Sequence, residues 1–321
     1  MKQPRETLKA DGLLLLTALI WGFAFVAQRS GMLDIGPFAF NGIRFALGAL
    51  CLLPLLIAGK RKARPAPNGS KAGPPPLAKT AWAALAGLVL FLGASLQQVG
   101  LVTTTAAHAG FITSLYVILV PLIGACLGRT SGLRVWIGAV LAVAGLFILS
   151  VGAGFTMAPG DLLQLVGAFF WAGHILLINR LVERMGALEI AVGQFATCAV
   201  LSLTVAWFRE PAPFAGLVPA AVPILYGGLL SIGVAYTLQI VAQKTAHPAH
   251  ASIILSMEAL FAGIGGVLLL HEPLTLRLIF GGLLMLAGMI VSQLEPGPVH
   301  GGEDHDGLAA SLIEAEAGDQ D

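Results

Sequence analysis

Charge is missing from most of this chain for long stretches at a time. Positions 80–128 hold no Lys, Arg, Asp or Glu, a run of 49 residues. That is room for two membrane spans of about 20 residues each. Further uncharged runs cover 12–28, 45–59, 135–160, 162–179, 190–208, 211–243 and 278–294. A helix satisfies its own backbone hydrogen bonds in lipid, so each run reads as helix. The pattern predicts spans near 11–28, 36–58, 80–100, 107–127, 134–151, 161–182, 188–207, 219–243, 250–270 and 275–292. The expected fold is an all-α integral membrane protein of ten transmembrane helices, arranged as two inverted five-helix repeats.

Composition agrees. Hydrophobic residues make up 57% of the 321 positions and charged residues 11%, where a soluble domain carries roughly a quarter. The 40 glycines suit helices that approach closely in a bilayer. The first apolar run follows Lys2, Arg5 and Lys9 but contains Trp21 and lacks a clear small-residue cleavage site, so it reads as a retained span and not a signal peptide. Cys51, Cys126 and Cys198 fall inside apolar runs at unrelated spacings, which points to packing and not to a disulfide framework or a metal site. No phosphate-binding loop, dinucleotide fingerprint or zinc motif is present. That argues against ATP-driven transport by this chain alone, and no cofactor is expected.

Charge sets the expected orientation. With the N-terminus in the cytoplasm, the inner segments carry 14 Lys and Arg and the outer loops 3, with Arg44 inside a span. Such a bias places both termini in the cytoplasm. Residues 60–79 form a basic Pro- and Gly-rich cytoplasmic linker suited to anionic headgroups. The tail at 295–321 carries eight acidic and no basic residues and reads as disordered and solvating, with a short helix open at 308–317. The expected organisation is an N-tail at 1–10, a first repeat at 11–151, a second at 152–294, and the acidic C-tail.

The repeat is visible in the sequence. A shift of 150 places Asp11 on Asp161, Leu13 on Leu163, Trp21 on Trp171, Gly36 on Gly186 and Phe45 on Phe195. A shift of 142 places Gln97 on Gln239, Thr103 on Thr245, His108 on His250, Ser114 on Ser256 and Gly124 on Gly266, and a shift of 143 places Gly138 and Gly145 on Gly281 and Gly288. The longer linker of the first half accounts for the change of shift. Five spans being odd, the second half enters from the opposite side, the arrangement that supports alternating access.

The stretches WGFAFVAQRSG at 21–31, GPFAFNGIRFALGAL at 36–50 and HEPLTLRLIFGGLLMLAGMIVS at 271–292, with the Ala/Ser-rich openings of the fourth and ninth spans, resemble the drug/metabolite transporter superfamily, specifically the EamA-type ten-helix permeases. The resemblance covers 11–294. It implies a secondary carrier, often an exporter of amino acids or related metabolites, in the bacterial inner membrane. Small four-helix relatives use a Glu in their first span for proton coupling; this chain has none there, so that mechanism does not carry over.

Polar residues inside spans are the candidates for function, because burying them in hydrocarbon costs several kcal/mol. Arg44 is placed to pair with a substrate carboxylate or to be tied to helix carbonyls or Asn41. Its repeat partner is Gln194. Glu258, repeat partner of Tyr116, suits proton coupling, a substrate amine, or a hydrogen-bonded packing role. His174, three residues after Trp171, is either a proton relay or a core histidine. His108 and His250 open spans and suit helix-end roles. Gln97, Gln98 and Gln239, with Tyr116 and Tyr236, are expected to line the path, and Trp21 and Trp171 to wall it. Glu272, beside Pro273, reads as a turn residue. Pro121 opens the choice between a hinge and a static kink.

The leading function is a secondary carrier for a small polar or amphipathic metabolite. An intramembrane lipid-modifying enzyme would need a nucleophile or a His/Asp pair at one depth, and no motif unites His174, Glu258 and Arg44. The buried charges argue against a plain scaffold. No catalytic residue is assigned. The expected partners are a small-molecule substrate and the lipid bilayer, with no nucleic acid; a homodimer is left open.

Overall fold

The computed structural model describes residues 4–62, 75–126, 132–151, 157–181, 184–243 and 248–293. The middle of the basic linker, the acidic tail and the side chain of His250 lie outside the described residues. All regular elements among the described residues are helical.

The helices are α1 (Pro4–Gly31), α2 (Pro37–Lys62), α3 (Pro76–Gly100), α4 (Ala106–Thr113), α5 (Tyr116–Cys126), α6 (Leu133–Ser150), α7 (Pro159–Leu181), α8 (Ala187–Arg209), α9 (Ala221–Leu225), α10 (Tyr236–Gln243), α11 (Pro248–Leu270) and α12 (Leu276–Gln293), with a π-helical segment Tyr226–Ala235 joining α9 to α10. Among the described residues eight segments are long and apolar enough to cross a membrane. Two shorter apolar helices, Ile254–Leu270 and Leu276–Ser292, follow them. Every predicted span therefore coincides with a helical segment.

Local sequence explains where the helices begin. α2, α3, α7 and α11 open on proline, whose missing N–H would be unpaired in the first turn anyway. Thr105 caps α4 by accepting from the His108 amide at 3.1 Å, and Thr275 caps α12 by accepting from the Leu278 amide at 3.1 Å. The fourth predicted span is broken between Thr113 and Tyr116. There the Leu115 and Val117 amides reach back only three residues, to Ile112 and Ser114. Pro121 lies within α5, so the helix interruption stands six or seven residues before the proline.

The packing is that of a bundle facing lipid. Large apolar side chains such as Val140, Trp207, Phe208, Leu268 and Leu283 point outward, more than half exposed, while small residues and amides fill the inside. α6 packs on α12 through glycine: a Cβ on Gly138 would meet the Gly288 carbonyl at 2.5 Å, and one on Gly145 the Gly281 carbonyl at 2.6 Å. These two contacts exchange when each residue is replaced by its repeat partner, as a two-fold relation between the halves requires. The helix pairings obey the same rule. α1 packs against α11 as α7 packs against α4 and α5, and α3 packs on α7 as the α9–α10 segment packs on α1.

Four ties define one face of the bundle. Arg29 at the end of α1 donates to the Leu101 and Val102 carbonyls beyond α3, at 2.6 and 2.8 Å. Glu210 after α8 accepts from the Phe38 and Ala39 amides of α2, at 2.7 and 3.0 Å. Glu272 after α11 accepts from the Ala106 and Ala107 amides of α4, at 2.6 and 3.1 Å, its return made possible by a left-handed His271 (φ 53°). Asp161 at the start of α7 meets Thr104 and His108. Carboxylates at helix N-termini and a guanidinium at a C-terminus each complement the helix dipole. The first helix of one repeat thus ends on the face where the first helix of the other begins.

Candidate substrate path

Two contacts between repeat partners mark the centre of the bundle. Residues related by a two-fold axis touch one another only beside that axis. Tyr116 Oη donates to Glu258 Oε1 at 2.9 Å, and the Phe45 and Phe195 rings lie 5.9 Å apart. Both pairs are repeat partners. The polar residues around them divide into three groups.

The first is acidic. Glu258 on α11 is 4% exposed, and the same Oε1 also accepts from Ser114 Oγ at 3.3 Å. Ser114 occupies the break between α4 and α5.

The second is basic and aromatic. Arg44 on α2 is also 4% exposed. Its Nε donates to Asn41 Oδ1 at 2.9 Å, and Asn41 Nδ2 donates to the Ala94 carbonyl of α3 at 2.9 Å. Its guanidinium carbon stands 4.8 Å from the Phe45 ring centroid and 5.8 Å from that of Phe40, cation–π distances. Phe195 continues this wall to Tyr236, edge-on at 5.2 Å, and Tyr236 meets Trp21 edge-on at 5.2 Å. Trp21 Nε1 is satisfied by the Ser231 carbonyl at 3.0 Å. The Asn41 tie that the sequence offered for Arg44 is therefore present, and the tie uses only Nε.

The third is a chain of amides. Trp171 Nε1 donates to Gln97 Oε1 at 3.1 Å, Gln97 Nε2 donates to Gln28 Oε1 at 2.9 Å, and Gln98 Nε2 donates to the Gln28 carbonyl at 3.2 Å. Gln164 Nε2 donates to the Gln97 carbonyl at 2.8 Å, and Thr113 Oγ1 to Gln164 Oε1 at 3.2 Å. The chain joins α1, α3, α4 and α7 across the two repeats.

The remaining candidates stand apart from these groups. His174 Nε2 donates to Gln194 Oε1 at 2.7 Å within a buried pair, with the Trp171 ring 6.1 Å away; this is a histidine held by one amide. Gln239 is half-buried on α10 and joins none of the three groups, unlike its repeat partner Gln97. Gln28 and Gln164 take part without having been singled out, although an amide inside an uncharged run was signal enough. Glu272 is a helix cap. A His/Asp pair does exist, His108 with Asp161, but Thr104 donates to the carboxylate and not to the imidazole, which is not the order of a nucleophile and its base.

A lipid-facing helical bundle with acid, base and amides at its centre is the interior of a transport protein. The EamA-like transporter family matches this chain twice, over 8–151 and 158–293, and the chain belongs to that family. A relative from Archaeoglobus fulgidus, named an uncharacterized transporter, is 33% identical over 90% of this chain and 87% of its own length. The uncharacterized transporter YoaV of Bacillus subtilis is 24% identical over 87% of this chain and 94% of its own. A crystal structure described only as that of a protein superposes with a TM-score of 0.61, covering 88% of this chain and 96% of the other at 20% identity; that likeness concerns the fold. The chain is a multi-span transporter-family membrane protein.

Proposed function

We propose that this protein is a secondary carrier that exports a small metabolite, such as an amino acid or a related compound, by alternating access. The observation that carries the reading is the placement of Arg44 and Glu258. Each is 4% exposed inside the bundle, and each stands opposite an uncharged repeat partner, Gln194 and Tyr116. A cation and an acid in one aromatic-walled interior suit a solute bearing both charges, with Trp21, Tyr236, Gln97 and Trp171 as its neutral walls. Gln98, through Gln28, and His174, edge-on to Trp171, support those walls, and Gln239 stays outside them on α10.

In this reading the chain crosses the bilayer ten times. The α4–α5 pair makes one span, α9 to α10 another, and α11 and α12 the last two. The repeats run over 11–151 and 152–294, inverted in the inner membrane. The 14-to-3 distribution of Lys and Arg supports cytoplasmic termini, with 60–79 and 295–321 as cytoplasmic linker and tail. The face that bears Asp161 then looks outward.

Counterflow into liposomes holding the purified full-length chain tests the proposal. Uptake of a labelled amino acid driven by the same unlabelled compound inside is the expected result. Failure across amino acids and nucleobases, together with chemical change of a lipid, would reject the carrier in favour of an enzyme.

A further inference from the structure

Repeat partners on the third and eighth spans make matching contacts, but not at one constant offset. A Cβ on Gly87 of α3 would meet the Gln194 carbonyl at 2.8 Å and Thr197 Cβ at 2.5 Å, and one on Gly228 the Arg44 carbonyl at 3.0 Å and Leu47 Cβ at 2.8 Å. Gln194 and Thr197 are the repeat partners of Arg44 and Leu47, so Gly87 and Gly228 hold equivalent places, 141 positions apart. Farther along, a Cβ on Gly167 would lie 3.7 Å from the Gly93 carbonyl. Thr17, the repeat partner of Gly167, donates through Oγ1 to the Ala235 carbonyl at 3.5 Å. Gly93 and Ala235 are therefore equivalent too, at 142 positions. One residue more separates Gly228 from Ala235 than Gly87 from Gly93.

The π-helical segment Tyr226–Ala235 covers that interval, whereas 87–93 lies in the plain α-helix α3. A π turn closes its hydrogen bond on i+5 where an α turn uses i+4, so a widened segment absorbs one inserted residue without breaking the helix. The bonds of the repeat partners differ there. Trp171 Nε1 donates to Gln97 Oε1 at 3.1 Å, and the two-fold would have Trp21 donate to Gln239. Trp21 Nε1 donates instead to the Ser231 carbonyl of the π segment, at 3.0 Å, and Gln239 is half-buried outside the polar groups. Tyr226 Oη, at the head of the segment, donates to the Ile20 carbonyl at 3.0 Å. Directly after the segment, Tyr236 stands edge-on to both Trp21 and Phe195. Its repeat partner is Ala94, so the aromatic wall has no counterpart at that position.

We infer that the π-helical segment is a one-residue insertion carried by the second repeat, and that it positions the aromatic wall of the substrate path, drawing Trp21 off Gln239 and onto the Ser231 carbonyl beside Tyr236. The role in substrate binding rests on the carrier reading above. What matters is the number of residues between Gly228 and Ala235 and not any one side chain. Leu229, Leu230 and Val234 all point outward. Removing one of them restores the spacing of α3, which fits the equivalent frame as a plain α-helix.

Equilibrium unfolding of the full-length chain in detergent tests the insertion without any substrate. In the native chain Trp21→Phe should lower the folding equilibrium constant about fivefold, the worth of one hydrogen bond, and Gln239→Ala should leave it unchanged. With Leu230 deleted the protein should still fold, and Trp21 should now depend on Gln239. Either substitution then lowers the constant about fivefold, and both together no more than one, the non-additivity of residues in direct contact. In counterflow, deletion of Leu230 should raise the half-saturation concentration about tenfold at a nearly unchanged maximal rate. Deletion of Leu229 should do the same, and Leu230→Ala should do neither. If neither deletion folds, or if Trp21 and Gln239 stay independent in both, the insertion is overturned. Unchanged half-saturation in a folded deletion would overturn the positioning role. The expected unfolding pattern in a protein that gives no counterflow in any form would keep the insertion and fault the carrier reading alone.

Discussion

Arg44 keeps its charge inside an apolar bundle because Asn41, one turn earlier, accepts from its Nε and two phenyl faces flank the guanidinium. A planar, delocalised cation can use both contacts at once, and an ammonium cannot. Arg44→Lys should therefore preserve charge yet raise the half-saturation concentration for a carboxylate-bearing solute about tenfold, equivalent to some 1.4 kcal/mol; counterflow against concentration checks it. Glu258 calls for a different substitution. Gln at this position still accepts from Tyr116 and Ser114, so Glu258→Gln should unfold at close to the native temperature. It has no proton to give, and the pH dependence of transport in vesicles should disappear. A retained pH dependence would place the coupling proton elsewhere. Asn41 was legible as a partner for Arg44 because residues three apart share a helix face. The Tyr116 bond to Glu258 was not, since repeat alignment pairs the two positions without saying that they lie at the axis.

Helix-to-helix contacts in this bundle are set by glycine, and their symmetry can be measured. A side chain at Gly145 would press on the Gly281 carbonyl and the Met285 amide at 2.6 and 2.7 Å, and one at Gly138 on the Gly288 carbonyl and the Ser292 amide at 2.5 and 2.9 Å. Gly138→Val and Gly145→Val should each destabilise by about 1–3 kcal/mol through overpacking. Because the two-fold exchanges the contacts in which these glycines sit, Gly138–Gly288 with Gly145–Gly281, thermal unfolding in detergent should give losses of the same order. Gly173 has nothing within 4 Å of the added carbon. Gly173→Ala should stabilise α7 by about 0.5–1 kcal/mol, which separates glycines that pack from one that does not. At this scale the sequence was most readable: uncharged length located the helical segments other than α11, which carries Glu258, because lipid leaves the backbone no other solution. The interruption at Ser114–Leu115 was not readable, for neither residue breaks a helix by itself. The widened turns at Tyr226–Ala235 were hidden for a related reason, since glycines at 227, 228 and 233 permit a local change of pitch without dictating it. The caps made by Glu210 and Glu272 bridge 172 and 166 positions, and only the assembled bundle brings their ends together.

Symmetric in its packing, the molecule is asymmetric in its chemistry, and the contact at the axis allows the two to be separated. Tyr116 and Glu258 occupy equivalent positions in the two repeats and face one another at 2.9 Å. Exchanging them, Tyr116→Glu with Glu258→Tyr, rebuilds the same phenol-to-carboxylate bond in a frame turned through the two-fold. Ser256, the repeat partner of Ser114, is buried as Ser114 is, so the transplanted acid meets a serine as before. Either single exchange leaves two carboxyls or two phenols at the axis, unmatched and buried, at a cost of about 1–3 kcal/mol. The double exchange should regain at least 1 kcal/mol over the sum of the singles, the coupling expected of residues in direct contact, as measured by thermal unfolding. Arg44 does not move with the swap, so cation and acid now belong to the same repeat and no longer to opposite ones. Stability should therefore return while counterflow does not. Recovery of both would mean that transport depends only on the presence of an acid at the axis. Recovery of neither would mean that the two positions are not equivalent, and the two-fold reading of the bundle would fall.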